Sequence, residues 1–246
     1  EGSVALYVTS TQKWTRWLRS EIGLRGDGYT FDVDSSLGAG ASGKTHDSIV
    51  SPKLALVFGP WNRTELYLNY GEGFHSNDAR GTTTAVDPVS PLVKARGSEV
   101  GVNTFIIPDV KLSASLWQLN FASELVYVGD EGVNEPSAAS RRYGAELSAY
   151  WQLLNWLILD ADYAYAHARL NQAGGDRIPN SIENVVSVGL TVPDIQGFSG
   201  GLRLRRLGAG PLIEDNSARS KPTTVVNAQG TYRFLQDYTA TLAVLN

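Results

Sequence analysis

Along much of this chain apolar and polar residues alternate with a period of two. In 157–165, Leu157, Leu159, Ala161, Tyr163 and Tyr165 fall on one side, and Asp160 and Asp162 on the other. In 183–192, Val186, Val188, Leu190 and Val192 oppose Ser187, Gly189 and Thr191. In 143–152, Ala145, Leu147, Ala149 and Trp151 oppose Glu146, Ser148, Tyr150 and Gln152. Side chains of a strand point alternately to its two faces, so such segments are strands with one apolar and one polar side. The pattern predicts twelve strands, at about 2–10, 14–34, 48–59, 63–72, 96–107, 109–128, 140–153, 155–169, 181–193, 197–209, 222–235 and 237–246. Two of them approach about twenty residues, whereas strands of globular proteins usually run about 3–10.

The connections carry a second pattern. Tight turns are expected near Thr11-Gln12-Lys13, Gly59-Pro60-Trp61-Asn62, Pro108-Asp109, Leu154-Asn155, Asp194-Ile195-Gln196 and Gln236-Asp237, and long polar loops near 35–47, 73–95, 129–139, 170–180 and 210–221. Short and long alternate strictly. Outer-membrane barrels join their strands this way, with short periplasmic turns and long extracellular loops. A sandwich with Greek-key wiring has no reason to do so. Trp14, Trp17, Trp61, Trp151 and Trp156 collect near the turn ends, as an interfacial girdle requires. The expected fold is all-β: an antiparallel up-and-down transmembrane β-barrel wall of about twelve strands.

Composition narrows the picture. The 246 residues suffice for one domain, taken here as 1–246. No apolar run approaches the roughly 18 residues of a spanning helix; the densest, 153–159, contains an Asn. A membrane protein with this sequence would therefore cross as a barrel. The formal charge of −4 argues against a nucleic-acid partner. With no Cys there is neither a disulfide framework nor a thiolate metal site. The chain begins almost at once in a strand, has no Met, and ends in mid-strand without a terminal aromatic, so the sequence is expected to be a piece of a longer protein.

Several segments resemble the barrel of TonB-dependent outer-membrane receptors. They are Ser51-Pro52-Lys53-Leu54-Ala55-Leu56; the run 64–78 (TELYLNYGEGFHSND); Gly97-Ser98-Glu99-Val100-Gly101; Ser140-Arg141-Arg142-Tyr143-Gly144-Ala145-Glu146-Leu147; Ile178-Pro179-Asn180; and Val244-Leu245-Asn246. They occur in order over essentially the whole chain. The resemblance implies a 22-stranded barrel with a plugged lumen, located in the bacterial outer membrane, that takes up a scarce solute such as a ferric siderophore. It also implies coupling to TonB through an N-terminal plug. That plug, about nine or ten early strands and the last strand are not in this sequence, so transport is expected of the parent protein. Expected partners are outer-membrane lipid, the TonB complex through the missing plug, and a small-molecule or metal-chelate ligand; no cofactor is expected.

Candidate residues follow from the two faces. His75, Asn77, Asp78 and Arg80 open the longest loop and are candidates for ligand contact, because outer loops meet the ligand first. Arg203 and Arg205 share a face opposite Leu202 and Leu204. An Arg on the lipid face costs about 2–4 kcal/mol at the midplane, so both are expected in the lumen, with Asp160, Asp162, Glu146 and Glu65 as candidate partners. Arg206 is expected near the rim, where it can snorkel. Three sharper readings are weaker. Gly38-Ala39-Gly40-Ala41-Ser42-Gly43 fits G-x-G-x-x-G, but no helical pattern follows, so a nucleotide fingerprint is not expected. His75-Ser76-Asn77 evokes barrel-borne phospholipases, but neighbouring His and Ser diverge, and in a loop they lack rigid support. A metal site from His75 and Asp78 has no further ligand at a readable spacing. No catalytic or metal-binding residue is expected. The alternative functions are a passive outer-membrane pore, a barrel hydrolase, or a soluble β-sandwich binding module.

Overall fold

The computed structural model describes all residues except 35–41, 85–87, 129–132, 174 and 236, and gives the backbone alone for the two short strands at 124–128 and 133–137. In chain order the elements are β1 (Gly2–Lys13), β2 (Leu18–Val33), β3 (Gly43–Trp61), β4 (Thr64–Ser76), α1 (Ala79–Thr83), β5 (Leu92–Thr104), β6 (Val110–Phe121), β7 (Glu124–Val128), β8 (Val133–Ser137), β9 (Ser140–Leu154), β10 (Leu157–Leu170), β11 (Asn184–Ile195), β12 (Phe198–Leu207), β13 (Thr223–Phe234) and β14 (Tyr238–Val244). Twelve strands form one sheet in the order β1-β2-β3-β4-β5-β6-β9-β10-β11-β12-β13-β14. Each strand of this sheet pairs antiparallel with its neighbours. The sheet is open, with β1 and β14 at its edges.

The alternation of connections is present. The gaps after β1, β3, β5, β9, β11 and β13 are short, and those after β2, β4, β6, β10 and β12 are long. At the tip of β3–β4, Asn62 and Arg63 both have positive φ (47° and 60°), the conformation of a two-residue turn that follows the right-handed twist of its strands.

Several expected boundaries are corrected. The 14–34 strand starts only at Leu18, because the amides of Trp14 and Thr15 turn back to the Leu18 carbonyl. Residues 109–128 are not one strand: β6 ends at Phe121, and β7 pairs with β8 in a separate hairpin inside the long connection. The loop expected at 73–95 is shorter and carries a helix, since β4 runs to Ser76, β5 starts at Leu92 and α1 lies between. β3 begins at Gly43, which removes the end of the glycine-rich stretch from its loop; Gly38, Ala39, Gly40 and Ala41 lie outside the described residues.

Register carries each face across the sheet. One lateral row reads Leu66, Val102, Ala114, Leu147, Tyr163 and Val186; the next reads Leu68, Val100, Leu116, Ala145 and Tyr165. Leu6, Leu116 and Leu147 are 81%, 62% and 52% exposed, so this apolar face is not covered by protein. On β9 the belt is bounded by Tyr143 and Trp151. At about 3.3 Å per residue and a tilt of about 40°, that interval spans roughly 20 Å of bilayer, close to the ~25 Å band of outer-membrane barrels. The short-turn rim is aromatic: Trp17 stacks on Trp61 (6.2 Å between centroids), and Tyr232, Phe234 and Tyr238 stack in series.

The opposite face is polar. Its clearest row runs Glu65, Asn103, Ser113, Ser148, Asp162, Ser187 and Arg205 across seven strands. What little apolar core exists lies at the long-loop end, where Phe31, Leu92, Val93, Ala168 and Leu170 are buried. A wall that exposes its apolar side chains and keeps its few buried ones under loops is built for lipid on one side and water on the other.

Candidate functional site

The polar face and the long-loop rim above it carry the chemistry. Strands one or two places apart in the sheet bring complementary groups into contact along the face. Arg19 on β2 reaches Glu65 on β4 at 2.8 Å. Glu99 accepts from Tyr67 (3.2 Å) and Asn69 (3.1 Å). Ser113 donates to Asn103 at 2.7 Å, and Ser148 to Asp162 at 2.7 Å. Arg203 pairs with Asp160 at 2.9 Å and donates to Ser187 at 3.0 Å.

The structure therefore brings Arg203 and Asp160 together. It sets Asp162 and Arg205 in one row with Ser187 between them, and leaves Glu146 exposed one row away on the same face. Arg206 lies on the apolar side, one residue from the end of β12, where it donates to Thr224 at 3.2 Å.

Tyr67, Asp160 and Arg203, and with them Trp117 on the same face, lie flat because glycines face them. A Cβ at Gly101 would overlap the Tyr67 ring. One at Gly144 would meet the Tyr165 carbonyl and the Trp117 indole (2.6 Å). One at Gly189 would fall 2.5 Å from the Asp160 carboxylate and 2.6 Å from the Arg203 guanidinium. Glycine here serves close approach rather than flexibility.

The described residues of the β4–β5 connection make specific contacts. Asn77 is 4% exposed: its amide donates to the Pro91 carbonyl (2.9 Å) and its side chain to the Ser90 carbonyl (2.7 Å). Asp78 caps α1 by accepting from the Arg80 amide at 2.8 Å and also pairs with the Arg80 guanidinium at 2.6 Å. The Arg80 side chain and amide together hold the Asp78 carboxyl at about 2, below the usual carboxylate range. α1 seats its buried Thr82 and Thr83 toward β2 and β3, against Gly43.

The four loop candidates thus do not converge on one point. Asn77 staples the loop, Asp78 and Arg80 satisfy each other at its surface, and His75 stands apart. His75 and Ser76 are not in a loop as expected but are the last two residues of β4, pointing to opposite sides. His75 lies 6.4 Å from the Phe121 ring, over which Arg142 places its guanidinium at 5.1 Å. Neither Arg142 nor Phe121 was a candidate from the sequence; the β4–β5 and β5–β6 registers bring Phe121 to His75, and the β6–β9 register brings Arg142 to Phe121.

A second cluster escaped the sequence as well. Glu183 stands among Arg177 (3.0 Å), Arg219 (3.5 Å) and Arg169 (4.0 Å), and Asp176 also meets Arg169 (3.3 Å). Backbone bonds from Arg177 to Glu214 and from Asn180 to Pro211 tie the β10–β11 and β12–β13 loops together. Among the described residues no group of three His, Asp or Glu is placed to hold a metal ion.

An open antiparallel wall with an apolar belt, a polar reverse face, one aromatic turn rim and one long-loop rim defines an outer-membrane β-barrel protein. Comparison with protein-family models matches residues 1–246 to the TonB dependent receptor-like, beta-barrel family, and the chain belongs to that family, a family of the Gram-negative outer membrane. Among solved structures it is similar to the ferric yersiniabactin uptake receptor FyuA from Yersinia pestis (TM-score 0.82, 16% identity, 99% of this chain and 40% of that one). The copper transporter OprC is similar too (TM-score 0.82, 19% identity, 99% and 41%), as is the ferric-catecholate import receptor Fiu from E. coli K12 (TM-score 0.74, 18% identity, 99% and 40%). The chain spans about two fifths of the length of these structures. Comparison with curated proteins finds no match.

Proposed function

We propose that this chain is part of the wall of an active outer-membrane transporter that takes up a scarce solute such as a ferric siderophore, with the energy delivered through TonB to a plug outside this sequence. The observation that carries the reading is the family match over the whole chain. The open sheet supports the wall-segment part of it, because edge strands β1 and β14 need further strands before a lumen closes. In this reading the ligand first meets the rim, where His75, Asp78 and Arg80 lie and Asn77 holds the loop in shape. Arg203, Arg205, Asp160, Asp162 and Glu146 then line the passage. The work is capture and passage, and no bond is made or broken.

The test is uptake of iron-55 supplied as a panel of ferric siderophores to iron-starved cells carrying or lacking the parent gene, each with and without TonB. Uptake of at least one chelate is expected to require both. Uptake that needs the gene but not TonB would show a passive pore and refute active transport.

A further inference from the structure

The register places an unusual row on the lipid-facing side, immediately above the apolar belt at the long-loop end. Reading laterally it is Glu72 on β4, Arg96 on β5, Asn120 on β6 and Arg141 on β9. The row one step closer to the membrane is Tyr70, Ser98, Gln118 and Tyr143, and the row below that is Leu68, Val100, Leu116 and Ala145. The side therefore passes from aliphatic to tyrosine to arginine within about four residues of strand. Tyr70 and Tyr143 are 43% and 44% exposed, and the Arg96 side chain 60%. Nothing on this side belongs to the lumen.

The charges are pre-arranged but not neutralised. Glu72 receives Tyr70 (2.8 Å), Lys94 (2.7 Å) and the Nε of Arg96 (3.2 Å), which fixes the Arg96 fork from one edge. Arg141 is steadied by donating to Gln118 at 3.0 Å, and Gln118 in turn contacts Asn120 at 3.4 Å. Among the described residues Lys94, Arg96 and Arg141 carry three positive charges against the single negative charge of Glu72, while Arg169, the next residue of the row beside Arg141, is met by its own carboxylates Asp176 and Glu183. Two strand spacings separate Arg96 from Arg141, about 10 Å, with the Asn120 amide between them.

We infer that this strip binds the phosphorylated headgroup of the glycolipid that forms the outer leaflet of the Gram-negative outer membrane, its acyl chains lying on the belt formed by Leu68, Val100 and Leu116. Three features select that occupant. The strip is level with the headgroups once the short turns are periplasmic, and it is continuous with the lipid-facing belt. Its paired guanidinium forks suit phosphate oxygens, which they can grip bidentately. The tyrosines beneath supply the amphipathic contact typical of the interface. The inference rests on the outer-membrane location and not on which solute is carried, so it stands or falls independently of the transport reading.

The experiment measures lipid retention by native mass spectrometry on the intact parent protein, extracted from outer membranes and stripped of lipid, then titrated with bisphosphorylated lipid A. Wild type is expected to bind it, and R96A/R141A about tenfold or more weakly, the scale of losing charge-assisted hydrogen bonds. Lipid A stripped of its phosphates is expected to bind both proteins alike. The barrel's heat-modifiable electrophoretic migration reports correct folding. Should the double variant fail to insert, Arg141→Gln alone, which leaves the Arg96–Glu72 pair intact, reads the same loss on a smaller scale. Equal retention of the bisphosphorylated lipid by a folded variant would overturn the inference. So would inorganic phosphate displacing the lipid completely, which would mark a free-anion site instead.

Discussion

Leu147 and Ser148 are neighbours on β9 and sit on opposite faces. Leu147 is 52% exposed, flanked laterally by Ala114 and Tyr163, and lies four residues from each of Tyr143 and Trp151, the belt's two aromatic limits. It is thus near the bilayer midplane, where an Arg on the lipid face costs about 2–4 kcal/mol. Leu147→Arg should lower the folded-to-unfolded ratio by about 30-fold to 1000-fold, taking 1.4 kcal/mol per decade. Ser148→Arg places the same side chain on the polar face, beside Asp162 and in line with Ser113, so it should change stability by less than about 1 kcal/mol, the ordinary worth of a wet ion pair. The assay is reversible denaturant unfolding of the intact protein in phospholipid vesicles, followed by tryptophan emission. Equal costs at the two positions, or a larger one at 148, would refute the assignment of lipid and water to the two faces.

Other consequences follow from the same geometry. Gly101→Ala should lift the Tyr67 ring and break its bond to Glu99, costing about 1–3 kcal/mol as overpacking does, measured as a fall in the unfolding midpoint. Glu183→Gln removes the carboxylate shared by Arg169, Arg177 and Arg219, so limited proteolysis should cut residues 171–183 and 208–222 faster while the barrel core remains resistant. Asp78 has a depressed carboxyl, so its cap on α1 holds at neutral pH and is lost only as pH falls from about 4 through about 2. Amide exchange of α1, followed by mass spectrometry, should be flat from pH 8 to pH 4 after correction for the intrinsic rate, and a change centred near pH 6 would refute this.

The faces and the connection rhythm were readable because both are written locally. A period of two needs only the strand itself, as in 143–152, and a turn needs only its own few residues. What escaped depends on register. Arg142 joins Phe121, and Arg96 lines up with Arg141, only through pairings between strands distant in sequence. α1 is five residues long, too short for a helical period, and it is held by the Asp78 cap and its seat against β2 and β3. Phe105-Ile106-Ile107 misled in the other direction: three apolar residues read as strand, yet they form the β5–β6 turn and stand about half exposed. At a membrane interface an apolar turn has lipid to meet, so hydrophobicity there does not signal a strand. Asn77 showed only its polarity in the sequence, and its bonds to the Ser90 and Pro91 carbonyls depend on how the loop folds.

The side chains laid flat over Gly101, Gly144 and Gly189 give the polar wall a low relief. With any larger residue at those positions, Tyr67, Trp117 and the Arg203–Asp160 pair would have to stand up into the space in front of the sheet. As built, their hydrogen-bonding edges run along the wall. Such a surface behaves as a bearing more than as a brush: a bulky body can rest against it through many shallow polar contacts and still shift along it without freeing interlocked side chains.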